Sequence, residues 1–249
     1  LTTSIVFPQA YTFDFYAQAD TLDGNVESDE TNNTFGPADV TVFAEASTSD
    51  LCGTLDENTV LTIAHSVYVV TCDVAVAADR SLWLDPGVIV KFGQTFRVTL
   101  ASGATLHAMG IDGAEIVFTS LRDDTHGGDT NGDGTATTPA RGDWVGITGG
   151  CVGTDCSEVT FDHVLVRYGN GVRVYGDTDI RNTTIEQNSG SGLAFYPVSG
   201  ADPSLRLENS TVRNNDSNGV YVNSYSTVVV TGTVIEASSI VVHSSGNLT

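Results

Sequence analysis

Ile180-Arg181-Asn182-Thr183-Thr184-Ile185-Glu186-Gln187-Asn188 returns as Leu207-Glu208-Asn209-Ser210-Thr211-Val212-Arg213-Asn214-Asn215, 27 residues further on. The same phrase is legible upstream at Phe161-Asp162-His163-Val164-Leu165-Val166 and downstream at Val230-Thr231-Gly232-Thr233-Val234-Ile235, at offsets of 19 and 23. The first three copies are each followed by a glycine and an apolar residue, Gly171-Val172, Gly192-Leu193 and Gly219-Val220. Segments that stay constant while the spacing between them drifts are what stacked parallel strands with variable turns produce, so this part of the chain reads as a β-solenoid. In that register Ile185, Val212 and Ile235 should point inward at equivalent positions. Asn182 and Asn209 should sit in turns, where an Asn side chain bonds the backbone and left-handed geometry is tolerated. With strands about 4.8 Å apart, roughly nine coils make a rod on the order of 40 Å long. The repeats are too short for the four-stranded blades of a propeller.

The rest of the chain is also all-β in pattern. Apolar residues come in short alternating runs rich in Val, Ile, Thr and aromatics, separated by Gly, Asn, Asp and Ser, and no stretch carries a helical period. Two domains are expected, residues 1–50 and residues 51–249, the second with a loop insertion at 121–143. In the first, Tyr11, Phe13 and Phe15 share one face of a strand, an acidic polar segment runs from Asp20 to Asn33, and alternation resumes at Val40 and Val42. This predicts a β-hairpin-like unit with a long connection.

Two resemblances refine these expectations. Tyr11-Thr12-Phe13 and Glu27-Ser28-Asp29-Glu30-Thr31-Asn32-Asn33 resemble the end of a CARDB-type domain, an immunoglobulin-like sandwich of cell-surface proteins. Such a sandwich takes about 100 residues, so the resemblance implies a partial one here. Ser81-Leu82-Trp83-Leu84-Asp85-Pro86-Gly87-Val88-Ile89-Val90-Lys91-Phe92, Ala104-Thr105-Leu106-His107-Ala108-Met109-Gly110 and Ile116-Val117-Phe118-Thr119-Ser120 resemble the opening coils of right-handed parallel β-helix domains of secreted and cell-surface proteins. The right hand is what that resemblance implies.

Composition narrows the function classes. Acids outnumber bases 31 to 10, for a formal charge of −21, and Lys91 is the only lysine. Nucleic acid and anionic lipid are therefore poor partners, since both need clustered Lys and Arg. Divalent cations or neutral glycans suit the charge, and solubility alone also accounts for it. No run of eighteen apolar residues exists, so no membrane-spanning segment is expected. The four cysteines fall into two sequence-local pairs, Cys52 with Cys72 and Cys151 with Cys156. Small loop-closing disulfides fit them better than a thiolate metal site, because CxxC spacing is absent, and they point to an extracellular or cell-surface location. Sequons at Asn32, Asn182, Asn209, Asn215 and Asn247 are candidate glycosylation sites. The chain begins at Leu1 without a signal peptide, which suggests processing or a piece of a longer precursor.

The sharpest chemical signal interrupts a coil. Asp129-Thr130-Asn131-Gly132-Asp133-Gly134-Thr135 alternates oxygen donors at Asp129, Asn131 and Asp133. Gly134 allows a sharp turn, and Thr135 is placed to offer a carbonyl. It resembles the first half of an EF-hand-type Ca²⁺ loop, but Ala140 stands at the twelfth position, where that pattern has a bidentate Glu. A further carboxylate from Asp123, Asp124 or Asp143 is expected to complete the set. The competing reading is a solvated Gly/Asp loop. The Arg141-Gly142-Asp143 tripeptide, an adhesion motif in other settings, is set aside because tripeptides recur by chance.

Catalytic residues are not evident. A lyase acting on acidic glycans needs a positioned base and more cationic residues than this chain holds, and hydrolysis needs two facing carboxylates. Asp162, Asp177, Asp179 and Glu186 are candidates without a clear pair, and the five histidines are scattered. Tyr168, Tyr175, Tyr196, Tyr221 and Tyr225 read either as a sugar-stacking face or as packing. The expectation is a non-catalytic extracellular structural or adhesive protein, with a polysaccharide-binding or -cleaving β-helix as the alternative. Apolar residues run almost to Thr249 without a polar cap. This suggests head-to-tail stacking of copies into a filament, or neighbouring domains of a longer chain.

Overall fold

Runs such as Ser81–Leu84, Arg97–Leu100 and Glu158–Asp162 alternate buried positions with more exposed ones, as strands with one face on a core must, because successive side chains point to opposite sides. The computed structural model describes residues 12–18, 34–41, 44–45, 49–223, 227–236, 239–242 and 247–248, with side chains described over 49–223, 227–236 and 239–242. Among them every regular element is a strand, apart from a single 3-10 turn at Ile63–His65. Two compact units divide between residues 44 and 45.

In the first unit Thr12–Gln18 pairs antiparallel with Thr34–Thr41, with Phe13 opposite Val40 and Phe15 opposite Ala38. The pair is joined through residues 19–33, so the expected hairpin with a long connection is present. The residues that carry most of the CARDB resemblance, Glu27 to Asn33, lie outside the described residues.

The second unit is a solenoid with three parallel faces. The first face is a nine-stranded sheet from Ala44–Glu45 to Asn247–Leu248, and its order is the order of the coils. The second and third faces begin as one strand, Tyr68–Val76. Its first half pairs with Ile89–Phe92 and its second half with Arg97–Leu100, and from there each coil bends into two separate strands. Asp50–Leu55 also pairs with Tyr68–Val76, so the rod starts before residue 51.

The register reproduces the repeats. Phe161, Ile180, Leu207 and Val230 are successive partners on the first face. On the second, Val166, Ile185, Val212 and Ile235 are stacked in turn, with Ile185 and Val212 fully buried. Burying such a side chain contributes about 1.5–3 kcal/mol. Aromatic rings thicken the early coils, where Phe92 stacks on Trp144 at 4.0 Å and Phe118 lies 6.0 Å from Phe161.

The corners explain the asparagines. His163, Asn182, Asn209 and Gly232 occupy the same bend between the first and second faces, all with positive φ from 47° to 59°. Asn tolerates that region better than most residues and glycine occupies it without strain. At the next bend the buried Asn188 donates to Asn215 Oδ1 at 3.0 Å and accepts from the Gly169 amide at 2.9 Å. Stacked asparagines thus satisfy backbone groups that the turn removes from water. Asn215 is buried as well, with Nδ2 bonded to the Ile185 carbonyl at 3.1 Å, whereas Asn182 and Asn209 are exposed.

Both cysteine pairs are disulfides. Cys52–Cys72 links adjacent coils, and Cys151–Cys156 closes a small antiparallel hairpin. Asn32, Tyr225, His243 and the side chain of Asn247 lie outside the described residues, as do the side chains after Val242 on which the stacking expectation rests. Among the described residues no helix is long and apolar enough to cross a membrane.

Candidate metal centre

The loop leaves the second face after Ser120 and rejoins the third at Gly146. Its two ends are fixed to neighbouring coils. Leu121 N donates to Phe92 O at 2.8 Å, Asp143 N to Tyr168 O at 2.9 Å and Val145 N to Phe96 O at 2.9 Å. Trp144, fully buried against Phe92, donates its indole N–H to Arg167 O at 2.9 Å. Asp143 ties the neck together by accepting from Ser120 Oγ at 2.7 Å, Arg122 Nη1 at 3.3 Å and the Ala140 amide at 3.0 Å.

Asp123 turns toward the rod. Its carboxylate is fully buried and accepts from Thr119 Oγ1 at 2.6 Å and from Arg167 Nη2 and Nε at 2.6 and 3.0 Å. The Thr125 amide closes its other oxygen at 3.2 Å. Burial opposes its ionisation, but the hydrogen bonds from Thr119, Thr125 and Arg167 and the Arg167 charge outweigh that and hold its pKa below the ordinary value. Beside it His126 is held below its ordinary value, by burial first and then by the Arg167 charge. Arg167 also lies 3.8 Å from Glu186, which Arg213 bonds at 2.8 Å, and the three residues are cross-strand neighbours on the outside of the second face.

Asp124 turns the other way. Ligand atoms of Asp124, Asp129 and Asp133 come within 4.8 Å of one another. The Gly134 amide donates to Asp129 Oδ2 at 2.8 Å, and the Asp133 amide to Asp129 Oδ1 at 3.1 Å, which curls the loop around the first carboxylate. Asp124 Oδ1 and Asp133 Oδ1 are shut off from solvent without a hydrogen-bond partner among the described residues. Asn131 is tied inside the loop, its Nδ2 donating to Asp133 Oδ2 at 2.9 Å and Thr137 Oγ1 at 3.3 Å. Thr135 is exposed just past the Gly134 turn. The fold therefore brings together three of the five expected carboxylate ligands, with Asn131 against Asp133 beside them, and it assigns Asp123 and Asp143 to the rod and the neck.

The lone lysine belongs to this site, which the sequence reading missed. Lys91, inaccessible to solvent, crosses under the loop and donates to Gly128 O at 2.5 Å and Thr130 Oγ1 at 2.7 Å. Burial lowers its pKa, partly offset by the charges of Asp123, Asp124 and Asp129. The available signal was its place in Ile89-Val90-Lys91-Phe92, a strand position where a charge needs a partner.

The remaining candidates are dispersed. Asp162 accepts from Asn182 Nδ2 at 2.8 Å, Asp177 accepts from Ser204 at 2.8 Å and Asp179 pairs with Arg181. His107 stacks on Trp83 at 4.1 Å. Tyr175, Tyr196 and Tyr221 form a row on the third face, with ring separations of 5.9 and 5.2 Å, and Tyr168 lies under Arg167.

Three parallel faces with inward apolar ladders define an all-β parallel β-helix, and its family match makes it a right-handed one. Residues 145–249 match the family described as a right handed beta helix region. No curated protein and no solved structure matches the chain. The CARDB resemblance of residues 1–50 gains no support from these comparisons.

Proposed function

We propose that this chain is a non-catalytic extracellular structural and adhesive surface protein whose long loop is ordered internally by one Ca²⁺ ion. The observation that carries the reading is the cluster of Asp124, Asp129 and Asp133, in which two enclosed carboxylate oxygens lack donors. Carboxylate oxygens withdrawn from water without partners are costly, and a hard cation with several oxygen ligands relieves that cost. The irregular loop suits Ca²⁺ better than Mg²⁺, which demands near-ideal octahedral geometry. Loops of this length without secondary structure are uncommon unless something orders them. The two disulfides support an oxidising, extracellular setting. Cleavage of a polysaccharide is less well supported, because Asp162, Asp177, Asp179 and Glu186 are each engaged by neighbouring side chains.

The test is thermal melting and limited proteolysis with Ca²⁺, Mg²⁺ or chelator. At a hundredfold excess over its dissociation constant, Ca²⁺ should stabilise by about 2.7 kcal/mol. For a unit spanning residues 45–249 this is about 5–11 °C in Tm, with loop cleavage suppressed. Asp129→Ala with Asp133→Ala should remove both effects. An intact chain indifferent to chelator would refute the reading.

A further inference from the structure

On the third face Arg173, Ala194 and Tyr221 are successive outward cross-strand partners. A small residue between two large ones leaves a notch, and the notch widens into a groove of about 480 Å³, within the range of sites that hold small molecules. Among the described residues no carboxylate lines this groove, in a chain where acids outnumber bases threefold. Its charged residues are Arg97 and Arg173. Arg97 lies 3.3 Å from Asp73. Exposed Arg173 has no carboxylate partner among the described residues, and its guanidinium sits 5.4 Å from the Tyr196 ring centroid. Tyr196 and Tyr221 form an angled aromatic wall, and Asn170 and Asn218 border the opposite, turn side.

We propose that this groove binds an acidic saccharide, a sugar ring carrying a carboxylate or sulfate, and so supplies the adhesive contact of the scaffold. The inference rests on the non-catalytic adhesive reading. An aromatic wall packs against the apolar face of a sugar, side-chain amides match its hydroxyls, and a guanidinium forks onto an oxyanion. The surrounding negative charge disfavours long polyanions and favours a single acidic unit.

Calorimetric titration of the full chain with a glucuronate-containing disaccharide, a sulfated disaccharide and a neutral disaccharide tests this. At least one acidic probe should bind, and the two acidic arms report which anion is preferred. Arg173→Gln should weaken that binding about tenfold or more, the scale of a lost charge-assisted contact. Ala194→Gln, which fills the notch, should abolish it. Both variants should melt as the parent does. Equal affinity for the neutral probe, unchanged binding by Arg173→Gln, or no acidic binding up to about 10 mM overturns the inference. Those outcomes leave the calcium response intact, so they are separable from failure of the scaffold reading. That failure would appear as a lost calcium response or as cleaved probe in mass spectra.

Discussion

Replacing Arg167 with Met removes one partner of a buried ion pair while keeping the bulk of the side chain. In the parent, the guanidinium makes two bonds, of 2.6 and 3.0 Å, to Asp123, which has no solvent access. The Thr119 and Thr125 contacts remain in the variant but carry no charge. Stranding a buried carboxylate in this way costs about 3–5 kcal/mol. For the unit of residues 45–249, that is a fall of about 6–20 °C in Tm. The double variant Asp123→Asn/Arg167→Met removes the stranded charge and should recover much of the loss, giving a coupling energy above about 1 kcal/mol. Acid sensitivity supplies a second readout. Asp123 has a folded pKa below its reference of 3.8, so its stabilisation is full above that reference and is lost as pH falls through the lower folded value. In Arg167→Met the folded value rises, and destabilisation begins at higher pH. Scanning calorimetry across pH 3–7 checks both. If Arg167→Met melts within about 1 °C of the parent, or the double variant is no better than the single, the pairing does not anchor the loop.

Three further outcomes follow from the same geometry. Ile185→Ala empties a fully buried position between Val166 and Val212 and should cost about 2–5 kcal/mol in denaturant unfolding. Asn188→Ala removes the amide that serves Gly169 N, Glu186 O and Asn215; it should cost about 1–3 kcal/mol and raise hydrogen exchange at that corner. His107 has its pKa lowered by burial from 6.5, so the unfolded chain takes up its proton more readily and stability should decline as pH drops below 6.5. His107→Phe, which keeps the stack on Trp83, should flatten that slope.

The coil register was legible because the phrases at Phe161, Ile180, Leu207 and Val230 align without gaps inside the strands, leaving all length variation to the corners. The left-handed bends at Asn182 and Asn209 and both disulfides were legible for a related reason: each depends on sequence-local chemistry. What stayed hidden depends on contacts between coils. Asp123 and Asp124 are adjacent and identical in type, and only the position of Arg167, 44 residues later, separates the rod-facing carboxylate from the loop-facing one. Nothing around Lys91 in the sequence marks Gly128 and Thr130, 37 and 39 residues later, as its partners. Asn215 read as a glycan acceptor, yet its amide nitrogen is held inside the turn. The notch over Ala194 needs three strands in register across turns of unequal length, which no single stretch of sequence displays. The first coils start earlier than expected because strands as short as Ala44–Glu45 carry too few residues to show alternation.

The most direct measurement is calorimetric titration of Ca²⁺ into the chelator-treated chain, alongside Asp124→Asn and Asp129→Asn/Asp133→Asn. The account predicts one ion per chain, at least about tenfold weaker binding in Asp124→Asn and none in the double variant. No binding heat with the parent, or identical isotherms for all three proteins, would contradict it.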